Sequence, residues 1–147
     1  MNENIATPEH GAKVIHGKVY KGTLATNLLS GIMDTNSDKY TYHYLDGTRG
    51  IIIDLGNPKN FNTVRILPHR YPDSKHRYVV DTLPSGDDWK IVGELGYRRN
   101  KENPWQEHKF ETVNARYLRI TGYFVSHSNL YLQIVSLEVY LRPRTQT

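Results

Sequence analysis

The stretch Ala115–Arg142, ARYLRITGYFVSHSNLYLQIVSLEVYLR, decides the fold class. In its first part Leu118 and Ile120 fall on one side of an extended chain, while Tyr117, Arg119, Thr121 and Tyr123 fall on the other. That is the period of two of a half-buried strand. The last part repeats it: Val135, Leu137, Val139 and Leu141 alternate with Ile134, Ser136, Glu138 and Tyr140. A helical period does not fit, and the β-branched content agrees with strands. Between the two, Phe124–Leu132 sets Ser126, His127, Ser128 and Asn129 among Phe124, Leu130 and Tyr131. Polar groups beside aromatic faces suit recognition.

Outward from this stretch the chain reads as short strands separated by turn signals, with no internal repeat. Ala12–Ile15 is a short apolar run, and Thr26–Gly31 has the composition of one helical turn ended by glycine. Tyr40–Leu45 alternates Tyr40, Tyr42 and Tyr44 with Thr41, His43 and Leu45 before the Asp46-Gly47 turn. Ile51–Leu55 reads as a buried strand ended by Gly56, Asn57 and Pro58, and Thr63–Leu67 as the next, stopped by Pro68. Pro68–His76 is a second polar loop, with His69, Arg70, Tyr71, Asp73, Lys75 and His76 bracketed by Pro68 and Pro72. Arg77–Leu83 and Trp89–Val92 flank a hairpin-type connection, with Trp89 read as core. Gly96–Pro104 is basic and irregular, and Trp105–Phe110 is the strand leading back to the opening stretch. Many short strands without alternating helices predict an antiparallel β-sandwich or jelly roll. Its core is expected to include Ile51, Ile53, Val64, Ile66, Leu118, Ile120, Val135, Leu137 and Val139.

Composition narrows the function classes. A chain of 147 residues fits one domain without metal or disulfide staples, expected over 11–142 with a flexible segment 1–10 and a tail 143–147. The absence of cysteine excludes a disulfide framework, a thiol nucleophile and a cysteine-ligated zinc, and favours a cytoplasmic setting. The first ten residues lack a signal-peptide pattern and no later run reaches the length of a membrane span, so a soluble chain is expected. The formal charge is +4, but Lys and Arg are spread along the sequence except at Arg98, Arg99 and Lys101. With no nucleic-acid motif beside it, such an excess reads as a solvated surface, and nucleic acid is not an expected partner. The 11 tyrosines suit sheet packing and also supply binding loops with apolar area and a polar tip.

The ordered succession NLLSG, GIIIDLG, VRIL, RYVVDTLPSGDDWKIVG, WQEHKF, ARYLRITGY and SLEVY resembles the discoidin superfamily. These are the coagulation-factor type C (F5/8 type C) domains, with a galactose-binding-like jelly roll, and the resemblance covers nearly the whole chain. GAKVIHG, NLLSG, the Tyr-rich segment and GIIIDLG are most similar to the discoidin-like domains of intracellular BTB-domain adaptor proteins, which implies a place beside cullin ubiquitin ligases. The resemblance also implies a ligand site in loops gathered at one end of the sandwich. Those loops are His16–Thr23, Tyr42–Arg49 with Tyr42 and His43, Pro68–His76 with His69, and Phe124–Tyr131. Two departures count against the family's structural calcium: Ser30 stands where many carbohydrate-binding members carry Asp, and Ser136 where they carry Glu.

Other chemistry has weaker support in the residues. Asp34, Asn36 and Asp38 have a calcium-type spacing, but Lys39 replaces the turn glycine of an EF-hand and no distal glutamate follows. A solvated acidic loop is the better reading, and no cofactor or metal is expected. His69, His76 and His127 could together ligate zinc, but no short-range ligand pair supports it. With no G-x-S-x-G, and Asp87-Asp88 in a turn, no enzyme is expected. Two binding readings remain. A sugar site would stack a ring on Tyr71 or Tyr131 and hydrogen-bond it through Arg70, His127 and Asn129. A protein or peptide site would use Arg70, Tyr71, Asp73, His76, His127, Asn129 and Tyr131 as anchors and charge partners. Missing calcium-type residues, missing cysteine and the adaptor resemblance favour protein recognition.

Overall fold

The computed structural model describes residues 3–19, 25–31, 33, 41–44, 50–68, 76–84, 88–95, 105–125 and 131–143. Of these, 18–19, 25–26, 41–44, 76–77, 94–95, 123–125 and 131–133 are described by backbone alone. The strands are β1 (Lys13–His16), β2 (Lys18–Val19), β3 (Thr41–Tyr44), β4 (Ile51–Pro68), β5 (His76–Pro84), β6 (Lys90–Leu95), β7 (Gln106–Val125) and β8 (Tyr131–Tyr140). Every pairing among them is antiparallel. Helical structure among the described residues is confined to 3₁₀ segments at Pro8–His10 and Ala25–Leu29. The fold is the antiparallel β-sandwich that the alternation predicts.

Two strands are longer than the turn signals suggest. The sequence divides β4 at Gly56-Asn57-Pro58, and it places separate strands before and after Phe110. The backbone runs through both breaks. Gly56 takes a φ of +93°, which glycine adopts at little cost, and Gly56–Asn60 rises to the surface while the residues on either side are buried. The β4–β7 register shifts between Asp54 and Lys59 and again between Phe61 and Thr63. The paired ribbon therefore bends over one end of the molecule and belongs to both layers. One layer is β1, Ile51–Leu55, the later part of β7, β5 and β6. The other is the early part of β7, Thr63–Pro68, β8, β3 and β2.

The core lies between these layers. All nine side chains expected there are at most 1% exposed, but Val135 is buried outside the cluster that holds the other eight. Tyr78, Val80 and Phe61 join them, and Leu28 and Leu29 of the second 3₁₀ segment are buried in the same cluster. Two particulars differ from the alternation pattern. Ile134 and Val135 are both buried, because the β4–β8 register shifts between Leu67 and Pro68, opposite Ser136 and Ile134. Trp89 is half-buried rather than in the core. Its ring is covered by the Arg119 guanidinium, 4.1 Å from the ring centre, and Arg119 donates to both carboxylate oxygens of Asp81 at 3.0 and 2.6 Å.

The segment before Gly11 is packed from Glu3 onward. Ile5 donates its N–H to Val139 O at 2.9 Å, and Asn4 Oδ1 accepts from Ala6 N and Val139 N at 3.0 and 2.9 Å. Ala6 is fully buried. Gly11 lies against Gly56, where a Cβ would come within 2.8 Å of Gly11 O. Replacing Ile120 by Ala should lower unfolding free energy by about 2–5 kcal/mol in urea titrations, as for a well-packed core position. Near-neutral unfolding would contradict its place between the layers.

Candidate binding site

Because β4 and β7 bend over at one end, each starts and finishes at the other. The register shows what gathers there. Tyr44, at the end of β3, pairs with Tyr131, at the start of β8. Pro68, closing β4, pairs with Ile134, and His76, opening β5, pairs with Val125, closing β7. Leu95, closing β6, pairs with Tyr78, and Gln106, opening β7, pairs with Ile66 near the end of β4. Four connections therefore spring from one end of the sandwich: 45–49, 69–75, 96–104 and 126–130. His16 reaches the same region, pairing with Ile52 and hydrogen-bonding through Nδ1 to Gly50 O at 2.7 Å.

Two features fix the frame beneath these connections. Gly50, where β4 begins, has a φ of +84°, and a Cβ there would stand 2.4 Å from the carbonyl oxygen of Ile120. Only glycine lets β4 start this close to β7. Below it, Tyr78 on β5 reaches across to His108 on the opposite layer, with Tyr78 Oη 2.8 Å from His108 Nε2 and the rings edge to face. Gly93 leaves room for the imidazole, since a Cβ would come within 2.9 Å of His108 Nδ1. Burial raises the Tyr78 hydroxyl far above its ordinary value and lowers that of His108. The phenol thus keeps its proton, the imidazole stays neutral, and the two share one hydrogen bond.

Of the residues expected to bind, His69, Arg70, Tyr71, Asp73, His127 and Asn129 lie outside the described residues, as do Asp34, Asn36 and Asp38. Tyr42, His43, His76 and Tyr131 are placed by their backbone, on β3, at the first position of β5 and at the first position of β8. The strand ends beside 69–75 and 126–130 meet at the His76–Val125 pair. Sequence reading missed the connection 96–104, although the run of Arg98, Arg99 and Lys101 is the one local concentration of charge that it singled out. Ser136, at the position the resemblance assigns to a glutamate, is fully buried, and its hydroxyl has no partner among the described residues.

The rest of the described surface offers less. At the opposite end a cleft of about 280 Å³ is lined by Glu3, Ile5, Lys59, Asn60 and Leu141. Its walls are mostly apolar, and Lys59 Nζ is engaged with His10 O at 2.6 Å. No group of three metal-ligating side chains occurs among the described residues. No helix among them is long and apolar enough to cross a membrane.

The family model for the F5/8 type C domain matches residues 18–134. The chain belongs to this family. Among curated proteins, this F5/8 type C chain is 31% identical to BTB/POZ domain-containing protein 9 of Homo sapiens over 99% of its length, covering 23% of that protein. The Drosophila melanogaster protein of the same name is 27% identical over 81% of the chain, covering 16% of it. The chain thus spans less than a quarter of the length of these relatives. Among solved structures, the CBM32 of AlyQ in complex with 4,5-unsaturated mannuronic acid has a TM-score of 0.66 at 19% identity, covering 95% of this chain and 98% of that one. The family 89 glycoside hydrolase of Clostridium perfringens, in complex with GlcNAc-alpha-1,4-galactose, has a TM-score of 0.71 at 17% identity, covering 97% of this chain and 16% of the enzyme. At such identities these likenesses establish the F5/8 type C fold.

Two measurements check the frame. Gly50→Ala should cost upward of about 2 kcal/mol in unfolding free energy, since the new side chain meets rigid backbone at a left-handed φ. His108 resists a proton in the folded state, so as pH falls below its ordinary value of about 6.5 the unfolded chain takes up that proton first and stability declines. Asp54 acts in a separate window. Hydrogen bonds from Arg116 hold its carboxyl low, so its contribution is present above about pH 4 and is lost below it. His108→Gln should flatten the decline between about pH 7 and 5 and leave the acid limb. Equal slopes in both proteins would assign the titration to another group.

Proposed function

We propose that this F5/8 type C domain is a non-catalytic recognition module that engages a protein or peptide partner through the connections at one end of the sandwich. The observation that carries the reading is the register there, which anchors four polar and aromatic connections on paired strand ends. Rigid strands preorganise such loops, and preorganisation lowers the ordering cost of binding. Arg70, Tyr71, Asp73, His76, His127, Asn129 and Tyr131 are the proposed contact residues, with Tyr42, His43 and His69 beside them. Similarity to BTB/POZ domain-containing protein 9 over nearly the whole chain supports a setting inside a larger intracellular adaptor. In that setting the domain would present substrates to a ubiquitin ligase.

A second reading has its own support. The solved relatives that share the fold include modules bound to sugars, such as the CBM32 of AlyQ with its mannuronic acid derivative. In this reading Tyr71 or Tyr131 would stack on the ring, with Arg70, His127 and Asn129 bonding its hydroxyls. A glycan array run beside affinity capture from cell extract separates the two. Captured protein whose retention depends on Arg70 and Tyr131 supports the first reading, whereas retention by glycans alone supports the second. With the captured partner in hand, Arg70→Ala and Tyr131→Ala should each weaken calorimetric affinity by about 1–2 kcal/mol or more while melting is unchanged. Unchanged affinity in both variants, or conversion of the ligand to product, would refute the proposal.

A further inference from the structure

We propose that the outer face of the layer built from β1, Ile51–Leu55, the later part of β7, β5 and β6 is a self-association surface, on which a second copy of this chain packs face to face about a two-fold axis parallel to the strands. Alternation sets what this face carries. Ile51, Ile53, Leu118, Ile120, Tyr78 and Val80 belong to the core cluster, so Ile52, Arg119, Val79 and Asp81 point outward. Register places Ile52 beside Arg119, Arg119 beside Asp81 and Asp81 beside Ile91, in one row across four strands. Ile15 flanks Ile52 on β1, in the irregularity between Val14 and His16. Three large apolar side chains stand exposed among the described residues, and two of them end this row: Ile15 at 49% and Ile91 at 66%. Ile52 and Val79 between them are buried without belonging to the core cluster. The face is a shallow apolar trough with raised edges, the kind of surface that a partner covers.

The row is complementary to itself, and this commits the face to a second copy. An axis running between β7 and β5 exchanges the two strands, so Arg119 of each copy stands opposite the partner's Asp81, and Ile52 opposite the partner's Ile91. The same axis sets Tyr117 opposite the partner's Leu83 and Thr121 opposite the partner's Val79. No like charges meet within these rows. Arg119 and Asp81 are already joined by two hydrogen bonds, at 3.0 and 2.6 Å, so they enter the contact as a neutralised pair. Stacked sheets pack about 10 Å apart with their strands within about 30° of one another, which an axis along the strands provides. The opposite layer gives a second copy no such footing, since its outer face carries Arg65, Glu107, Lys109, Glu138 and Arg142. An axis along the strands also leaves both recognition ends pointing the same way, so the dimer offers a ligand two sites side by side. Only this last consequence rests on the recognition reading above.

Sedimentation equilibrium of the chain, run beside melting curves, tests this. The apparent mass should rise from one chain at about 1 μM toward two at about 500 μM, as for a contact of modest area. Ile91→Glu, at an exposed position, should raise the dissociation constant at least about tenfold with melting unchanged, since each dimer meets the new carboxylate twice and sets it on Ile52. Lys109→Gln, on the opposite outer face, should leave the constant as it is. The chain has no cysteine, so single replacements can be trapped cleanly. Under mild oxidation an equal mixture of Ile52→Cys and Ile91→Cys should form the mixed disulfide in preference to either symmetric one. If Ile91→Glu lowers the melting temperature, this disulfide pattern decides. A single chain at every concentration overturns the proposal, as does a dimer that survives Ile91→Glu or is lost with Lys109→Gln. A dimer that yields only symmetric disulfides has another axis and overturns it too. So does a monomer from which Ile91→Glu releases a protein captured from cell extract, because the face then belongs to that protein.

Discussion

The antiparallel pairing of β4 with β7 is the constraint on which the rest of this structure depends. A strand that leaves one layer of a sandwich must keep its backbone hydrogen bonds satisfied while it crosses, since unpaired buried amides are costly. Here the two strands cross together. They keep pairing through Lys59–Ala115, Asn60–Asn114 and Phe61–Val113 at the bend, with register shifts on either side. Phe61 enters the core there and meets Phe110 edge to face, while Lys59 and Asn60 stay outside. Every other strand in the described residues pairs with this ribbon or with a strand that does, except β2, which is joined to it through β3 and β8. The end at which the other strand ends gather follows, because both strands must begin and end opposite their bend.

The outer faces of the two layers are sealed by a repeated device. Asp54 and Asp81 are nearly buried carboxylates, with side chains 5% and 9% exposed, and each is gripped by two nitrogens of one arginine. A buried carboxylate needs such a partner because its desolvation would otherwise dominate. On the opposite layer Arg65 links Glu138 and Glu107, and Arg142 donates to Glu107 at 2.6 Å. Exposed ion pairs of this kind contribute little singly. Their consequence for function is steric. The guanidinium groups occupy faces of Trp89, Trp105, Tyr117 and Tyr140, and those faces are closed to a sugar ring or a partner's side chain.

Local alternation made much of this legible in the sequence. Ile51, Ile53, Leu118 and Ile120 were readable as core because side-chain direction in a strand depends only on parity. What failed was whatever depends on distant partners. Gly56-Asn57-Pro58 has the composition of a strand end, but pairing with β7 carries the backbone through it. Ile134 reads as outward by parity, yet a register shift opposite Pro68 buries it. Trp89 reads as core by hydrophobicity, yet it shields a charged pair that joins residues 38 apart in sequence. Gly96–Pro104 was visible as a basic run, but the strand ends that bound it, Leu95 and Gln106, are placed by the β5–β6 and β4–β7 registers, which composition does not encode.

The two ends of the sandwich are built on different principles. At the bent end, main-chain contacts are specific and tight. Asn62 makes a reciprocal pair with the backbone of Arg142, at 2.8 and 2.9 Å, Ile5 pairs with Val139, and Gly56 abuts Gly11. An insertion there would break hydrogen bonds that hold the layers together. At the other end the strand ends are fixed by their neighbours across the sheet, and the connections only have to join them. Closing a longer loop between fixed ends costs little, since the entropy grows with the logarithm of length. Loop sequence is thus free to change chemistry while Gly50 and the Tyr78–His108 pair hold the frame. The frame therefore sets where the connections begin and end without dictating the residues they carry.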